Sequence, residues 1–401
     1  MQDLNNKVKE IMTDHYMSAK LASEQGKKVA WCTGIAPSEF LRAMDFVTVF
    51  PENHAAMAGA RKLGQQLAEI AEAIGYSINI CSYARIDFGN IQSGQGPVGW
   101  LPKPDLVVCC NNTCVTVIKW YENLAHHFGV PMVLIDIPFN HGDEIEQYTI
   151  SYIKEQFKEF IQVIEKICHR RFNYDRFIEV VANANKTSQI WSEILAMTNR
   201  ESLPFTAFEA FSYMSPMVIA RGSDETVAFY QYMKDCLKNS EATPSKNQKY
   251  KYRLLWDGIP LWYKLREVSE FFKARGAAVV CSTYTHAWIL PMDANDPLES
   301  MARAYSKVII NVSLESRKQT LLSLVDEYKL DGIIHHNNRS CKPLVLGLYH
   351  IGQEFSNKYG IPSIIIDGDQ CDPRSFSMAQ FVTRMEAFLE TIGEGGSEDG
   401  G

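Results

Sequence analysis

The sequence predicts an α/β protein of two similar Rossmann-like parallel-sheet domains that face each other across a cleft, with a helical segment between them. Three observations carry this. Short β-branched runs alternate with long amphipathic stretches, as in βαβ units. A strand, turn, helix and strand pattern beginning at Asp105 recurs at Asp331 with its punctuation intact. At 401 residues the chain is longer than one compact core accommodates.

Residues 1–143 form the first domain on this reading. Its opening 28 residues mix charges throughout and lack the apolar stretch of a signal peptide. Strands are expected at Val29–Cys32, Val47–Phe50, Ser77–Cys81, Leu106–Cys110 and Met132–Asp136, each a short apolar run. Residues 144–251 read as helical, because Ile145, Thr149, Ile153, Phe157, Ile161, Ile164 and Cys168 recur at helical spacing and share one face. The polar, basic stretch Lys238–Arg253 reads as a linker into the second domain, residues 252–392. There, strands are expected at Arg253–Trp256, Ala278–Cys281, Gly332–His335 and Ser363–Asp367. The Gly- and acid-rich tail, residues 393–401, is expected to be disordered.

The repeat is detailed. Asp105-Leu-Val-Val-Cys-Cys-Asn-Asn-Thr-Cys114 precedes a helix and then Gly129-Val-Pro-Met-Val-Leu-Ile-Asp136. Asp331-Gly-Ile-Ile-His-His-Asn-Asn-Arg-Ser-Cys341 precedes a helix and then Gly360-Ile-Pro-Ser-Ile-Ile-Ile-Asp367. Each half reads as strand, Asn-Asn turn, cysteine, helix, Gly-x-Pro, strand and aspartate.

Composition narrows the function. Hydrophobic residues make up 46% and charged residues 22%, ordinary for a soluble protein. No apolar run approaches the roughly 18 residues a membrane span needs. A net charge of −7 argues against broad nucleic-acid binding. A cytoplasmic protein is expected, with neither nucleic acid nor membrane as partner.

Ten cysteines are more than packing alone requires, and a disulfide framework does not suit a large cytosolic chain. Some are therefore candidates for metal binding or catalysis, although no CxxC pair occurs. In parallel α/β sheets ligands bind beyond the carboxyl ends of strands, beside helix N-termini, whose free N–H groups and dipole favour thiolate. Cys114 and Cys341 fall at such positions in equivalent turns, and Cys81 follows the expected strand at Ser77. If the domains face each other, the three thiols converge. Cys109 and Cys110 lie in an apolar strand, Cys168 and Cys236 on helices; all four read as inert core. Cys32, Cys281 and Cys371 stand at strand ends, where a small hydrophobe under a loop is the plainer account. Three thiolates suit zinc completed by His286, His335 or His336, or an iron–sulfur cluster with one iron left open. Spacing does not choose between them.

Gly94-Gln-Gly-Pro-Val-Gly99 matches GxGxxG literally, but Trp100-Leu-Pro-Lys-Pro follows where a dinucleotide fingerprint opens a helix. It is read as a plain loop. No GxxxxGK[ST] occurs, so ATP hydrolysis by this chain is not expected.

Trp31-Cys-Thr-Gly34, Phe50-Pro-Glu-Asn53, Cys81-Ser-Tyr-Ala-Arg85, Cys110-Asn-Asn-Thr-Cys114, Lys119-Trp-Tyr-Glu122, Asn338-Arg-Ser-Cys341 and Asp367-Gly-Asp-Gln-Cys-Asp-Pro-Arg374 resemble the α subunits of 2-hydroxyacyl-CoA dehydratases. The nearest types are the 2-hydroxyisocaproyl-, phenyllactoyl- and lactoyl-CoA enzymes of anaerobic bacteria, in a wider family that includes benzoyl-CoA reductase subunits. The resemblance covers nearly the whole chain. It implies that Cys81, Cys114 and Cys341 hold a [4Fe–4S] cluster with one open iron in the cleft, and that Glu52 lines the substrate site and handles protons. It also implies a related β subunit with its own cluster, and a transient ATP-dependent iron–sulfur activator that delivers one electron. Several relatives place serine where this chain has Gly34; Cys32, Thr33 and Gly34 are expected to form the pocket wall there. The implied reaction adds an electron to the thioester carbonyl, giving a ketyl radical anion that expels the α-hydroxyl, after which a base removes the β proton and the electron is returned. A benzoyl-CoA reductase-like subunit and a non-catalytic zinc-binding scaffold are the alternative readings.

Overall fold

The computed structural model describes residues 2–241 and 250–395. In the first half β1 (Val29–Cys32), β2 (Val47–Val49), β3 (Leu106–Cys110) and β4 (Met132–Ile135) form a parallel sheet in the order β2-β1-β3-β4. In the second, β5 (Tyr252–Asp257), β6 (Ala277–Ser282), β7 (Gly332–Asn338) and β8 (Ser363–Gly368) repeat it as β6-β5-β7-β8. The two Rossmann-like parallel sheets inferred from the repeat are therefore present. β1 and β3 are buried throughout, which is why they read as continuous apolar runs rather than alternating ones.

The repeated letters have repeated geometry. Asn111, just beyond β3, donates from its side chain to Asp136 beyond β4, and Asn337 donates to Asp367 at 2.6 Å in the other sheet. The following asparagines, Asn112 and Asn338, are buried and donate to the Tyr305 carbonyl at 3.0 Å and to Gln370. Gly129 ends the crossover helix Val115–Phe128 in the left-handed region, φ 64°, and Gly360 takes φ 66° after the helix Leu348–Lys358. A side chain there strains the backbone, so glycine closes both crossovers.

Five helices, Gln147–Cys168, Tyr174–Ala196, Ala207–Tyr213, Ser215–Ala220 and Asp224–Glu241, occupy the stretch between the sheets. The first buries Thr149, Ile153, Phe157, Ile161 and Ile164, the face its spacing marked out, while Cys168 is half-buried. The N-terminal helix Gln2–Leu21 packs on Ser215–Ala220.

Three expectations change or fall outside the description. Ser77–Cys81 is no strand: Ile80 turns back to the Ser77 carbonyl, Ile78 is 53% exposed, and the residues join neither sheet. Its two isoleucines flank Asn79 and find no partner strand. Of the expected linker, residues 242–249 lie outside the described residues; those before them continue the helix to Glu241. Of the expected disordered tail, residues 393–395 finish the helix Met378–Gly395 and the rest lie outside the described residues. Among the described residues, no helix is long and apolar enough to cross a membrane.

Candidate active site

All three candidate thiols stand at helix N-caps. Cys81 opens Ser82–Ser93, Cys114 opens Val115–Phe128, and Cys341 opens the short helix Lys342–Val345. Each is half-buried and lines one cavity of about 880 Å³ between the two sheets' helices. Burial raises all three thiols above their ordinary range, Cys341 to about 12, and ionised Cys114 would push both of the others further up. The amides of Ala84, Val117 and Leu344, each three residues on, oppose that rise, although no sulfur closes a full capping hydrogen bond. Three neighbouring thiols at positive helix ends suit a shared electrophilic group, which would take all three as thiolates at once.

Three thiols make a donor set of the kind that holds an iron–sulfur cluster. Among the described residues, no three His, Cys, Asp or Glu side chains are grouped to hold a single metal ion. His286 meets the Ser282 carbonyl at 2.8 Å, His335 Nδ1 meets Asp257 at 2.9 Å and His336 Nδ1 the Ile259 carbonyl at 2.5 Å, while among the described residues the Nε2 atoms of His335 and His336 have no partner. None lines the cavity.

Glu52 enters the same cavity from the first turn of the helix Pro51–Ala60. Burial pushes its carboxyl up to about 7, against the opposing pull of Tyr121, its own amide and the amide of Gly34. The Tyr121 hydroxyl donates to Oε2 at 2.8 Å. A carboxyl poised near neutrality, held by one phenol and two backbone donors, can give or take a proton.

Gly34 lines the cavity; Cys32 and Thr33 do not. Both are fully buried behind it. Thr33 continues the β1–β3 pairing, its amide donating to Val108 and its hydroxyl accepting from the Cys110 amide at 3.0 Å. The Cys32 thiol is pushed well up by burial and then by the nearby Glu52 charge, so it stays protonated in the wall. Of the three residues expected to form the pocket wall, Gly34 therefore faces the cavity and Cys32 and Thr33 back it.

Sequence reasoning passed over several residues that build the site. Tyr121 falls within Lys119-Trp-Tyr-Glu122 and is given no role there. Gln370, from the loop after β8, lies 3.5 Å from the Cys81 sulfur and accepts from Asn338. Ser340 accepts from the Ser82 amide at 3.2 Å, tying the Cys341 turn to the Cys81 helix. Beside them, buried Arg85 joins Asp372 at 2.9 Å and Glu72 at 2.6 Å. Ser82, Arg85 and Ser340 stand near Cys81 or Cys341 in the quoted motifs, whereas Gln370 and Asp372 flank Cys371 and Glu72 lies in none of them.

Fold and site together define a class: a twofold-repeated parallel α/β protein presenting three N-cap thiols and a raised carboxyl group to one cavity. The chain belongs to the 2-hydroxyglutaryl-CoA dehydratase D-component family, whose model matches residues 33–392. It is 36% identical, over 96% of its length and 95% of the relative's, to the (R)-2-hydroxyisocaproyl-CoA dehydratase α subunit of Clostridioides difficile. Identity is 35% over 93% of both chains to lactoyl-CoA dehydratase subunit α of Anaerotignum propionicum. It is 34% over 98% of both chains to the (R)-phenyllactyl-CoA dehydratase α subunit of Clostridium sporogenes. The types that the motifs resembled are thus among its relatives.

Proposed function

We propose that this chain is the α subunit of an (R)-2-hydroxyacyl-CoA dehydratase, removing water from a 2-hydroxyacyl-CoA to give a 2-enoyl-CoA. The supporting observation is the placing of Cys81, Cys114 and Cys341 around one cavity with Glu52, in a member of this family. Cys81, Cys114 and Cys341 would hold a [4Fe–4S] cluster, which when bound supplies an open Lewis-acidic iron for a substrate oxygen.

The chain's own residues then do the rest. The β hydrogen of the substrate is not acidic until one-electron reduction of the thioester carbonyl has given a ketyl radical anion and the α-hydroxyl has left. Glu52, ionised, takes that proton, leaving a 2-enoyl-CoA ketyl radical anion that gives back its one electron to become the neutral product; Tyr121 and the Gly34 amide hold the carboxylate in place. The apolar walls exclude water from the radical. A related β subunit with a second iron–sulfur cluster and a transient ATP-dependent activator complete the electron path; the absence of a P-loop pattern here accords with that division of labour.

The test is anaerobic purification with the β subunit, followed by iron analysis and assay with 2-hydroxyacyl-CoA thioesters, activator and ATP. About four irons per α chain and a broad absorption near ~400 nm are expected, with turnover only when activator and ATP are present. Cys81→Ser, Cys114→Ser and Cys341→Ser should each lose or convert the cluster, since an alkoxide is a poor substitute for thiolate. Cys168→Ser should keep its iron. Full iron in the Cys114→Ser protein refutes the ligand assignment.

A further inference from the structure

The two halves of the repeat part company at one charged network. Register sets Cys32 against Val108 in the first sheet and Trp256 against Ile334 in the second, so Asp257 and His335 answer to Thr33 and Cys109. Thr33 and Cys109 are uncharged. Asp257 and His335 instead gather around Arg317, from the helix Leu314–Tyr328, and all three are buried. Arg317 Nη2 donates to Asp257 Oδ2 at 2.9 Å, and His335 Nδ1 lies 2.9 Å from the same oxygen. The Thr283 hydroxyl donates to Oδ1 at 2.9 Å. Burial alone would raise the Asp257 carboxyl, but Arg317, His335 and Thr283 together hold it below the usual carboxylate range.

One bond joins this network to the candidate active site. Arg317 Nη1 donates to the Leu344 carbonyl at 2.6 Å. Leu344 belongs to Lys342–Val345, the helix that Cys341 opens, and its amide opposes the rise of that thiol. Cys81 and Cys114 open helices of 12 and 14 residues, long enough to hold their own geometry. A helix of four residues bears the cost of a nucleus and gains almost no bonds by propagation. Its place must be fixed from outside: Ser340 ties its front to the Ser82 amide, and Arg317 grips its far end. Arg317 also opposes the burial-driven rise of the Cys341 thiol, so its charge as well as its grip reaches that sulfur.

We infer that Arg317 is a positioning residue for Cys341: it fixes the turn that presents this thiolate, and its buried positive charge favours the reduced form of the cluster held there. This rests on the cluster assignment proposed above and names what sets its electron affinity. Reduction adds one negative charge and breaks no bond, and nearby net charge is one of the levers on the potential of an iron–sulfur cluster.

The test is a reductive titration of the anaerobically purified α–β complex with titanium(III) citrate as electron donor, followed by electron paramagnetic resonance. The β subunit's own cluster serves as internal reference. Arg317→Met should weaken the one-electron affinity about tenfold, a potential lower by about 59 mV. Asp257→Asn removes the neutralising anion and keeps its shape, so the potential should move the other way. Arg317→Lys keeps the charge and should restore most of the parent's value. These two variants carry the test if Arg317→Met fails to fold. A merely structural role predicts no such opposition of sign. An unmoved potential in the folded variants, or shifts of one sign in Arg317→Met and Asp257→Asn, overturns the inference and leaves the dehydratase reading intact. Full iron in Cys114→Ser overturns the ligand assignment and this inference with it.

Discussion

Glu52 and Tyr121 make a pair whose behaviour can be read in pH. With its carboxyl near 7, Glu52 becomes a base only as pH rises through neutrality, so the acidic limb of the kcat profile should fall near pH 7. The Tyr121 hydroxyl stabilises the carboxylate; Tyr121→Phe should move that limb to higher pH. Glu52→Gln should keep the cluster and lose about 10²–10⁴-fold in turnover. It should also stabilise the fold. A carboxyl raised on folding binds its proton more tightly in the native state, so stability falls as pH climbs from the unfolded value towards 7. Glutamine lacks that penalty, so the variant's melting temperature should exceed the parent's at pH 8 and match it at pH 4. The three thiols were legible in the sequence because a helix start after a turn is a local pattern. Tyr121 was not: it meets Glu52 from 69 residues away and sits among apolar helix neighbours.

At the scale of elements, eight of nine expected strands form, because buried parallel strands are continuous apolar runs with turn residues around them. Ser77–Cys81 failed for want of a partner strand, which no local pattern reveals. Cys81 still reached a helix N-cap, since its position depends on the helix after it rather than the residues before. The crossover glycines give a clean test. A β carbon at Gly129 or Gly360 meets nothing within 4 Å, so the cost of alanine there is conformational alone. Gly129→Ala and Gly360→Ala should each destabilise by about 1–2 kcal/mol in urea unfolding. Unequal losses would mean that the two crossovers are not structural equivalents.

Across the whole molecule, buried ionic groups join what the apolar core brings together. Arg221 reaches Glu39 at 2.8 Å, both almost wholly buried, and the Tyr305 hydroxyl completes the carboxylate at 2.8 Å. The three come from the first half, the middle helices and the second half. Arg221→Met should cost about 3–5 kcal/mol by leaving Glu39 uncompensated, and Arg221→Met with Glu39→Leu should recover most of it. Denaturant midpoints of the two single variants and the double variant decide this. Such pairings escaped sequence reasoning because residues 182 positions apart carry no shared local signal. The repeat, by contrast, was plain to read, and its Asn–Asp clamps lie wholly within each sheet. Their locality bears on how a chain of this kind changes over generations. Each half can accumulate substitutions around its own clamp without consulting the other, whereas Ser82, Arg85, Ser340, Gln370 and Asp372 answer to both halves at once. Descendants should therefore differ most around the clamps and least at those five residues.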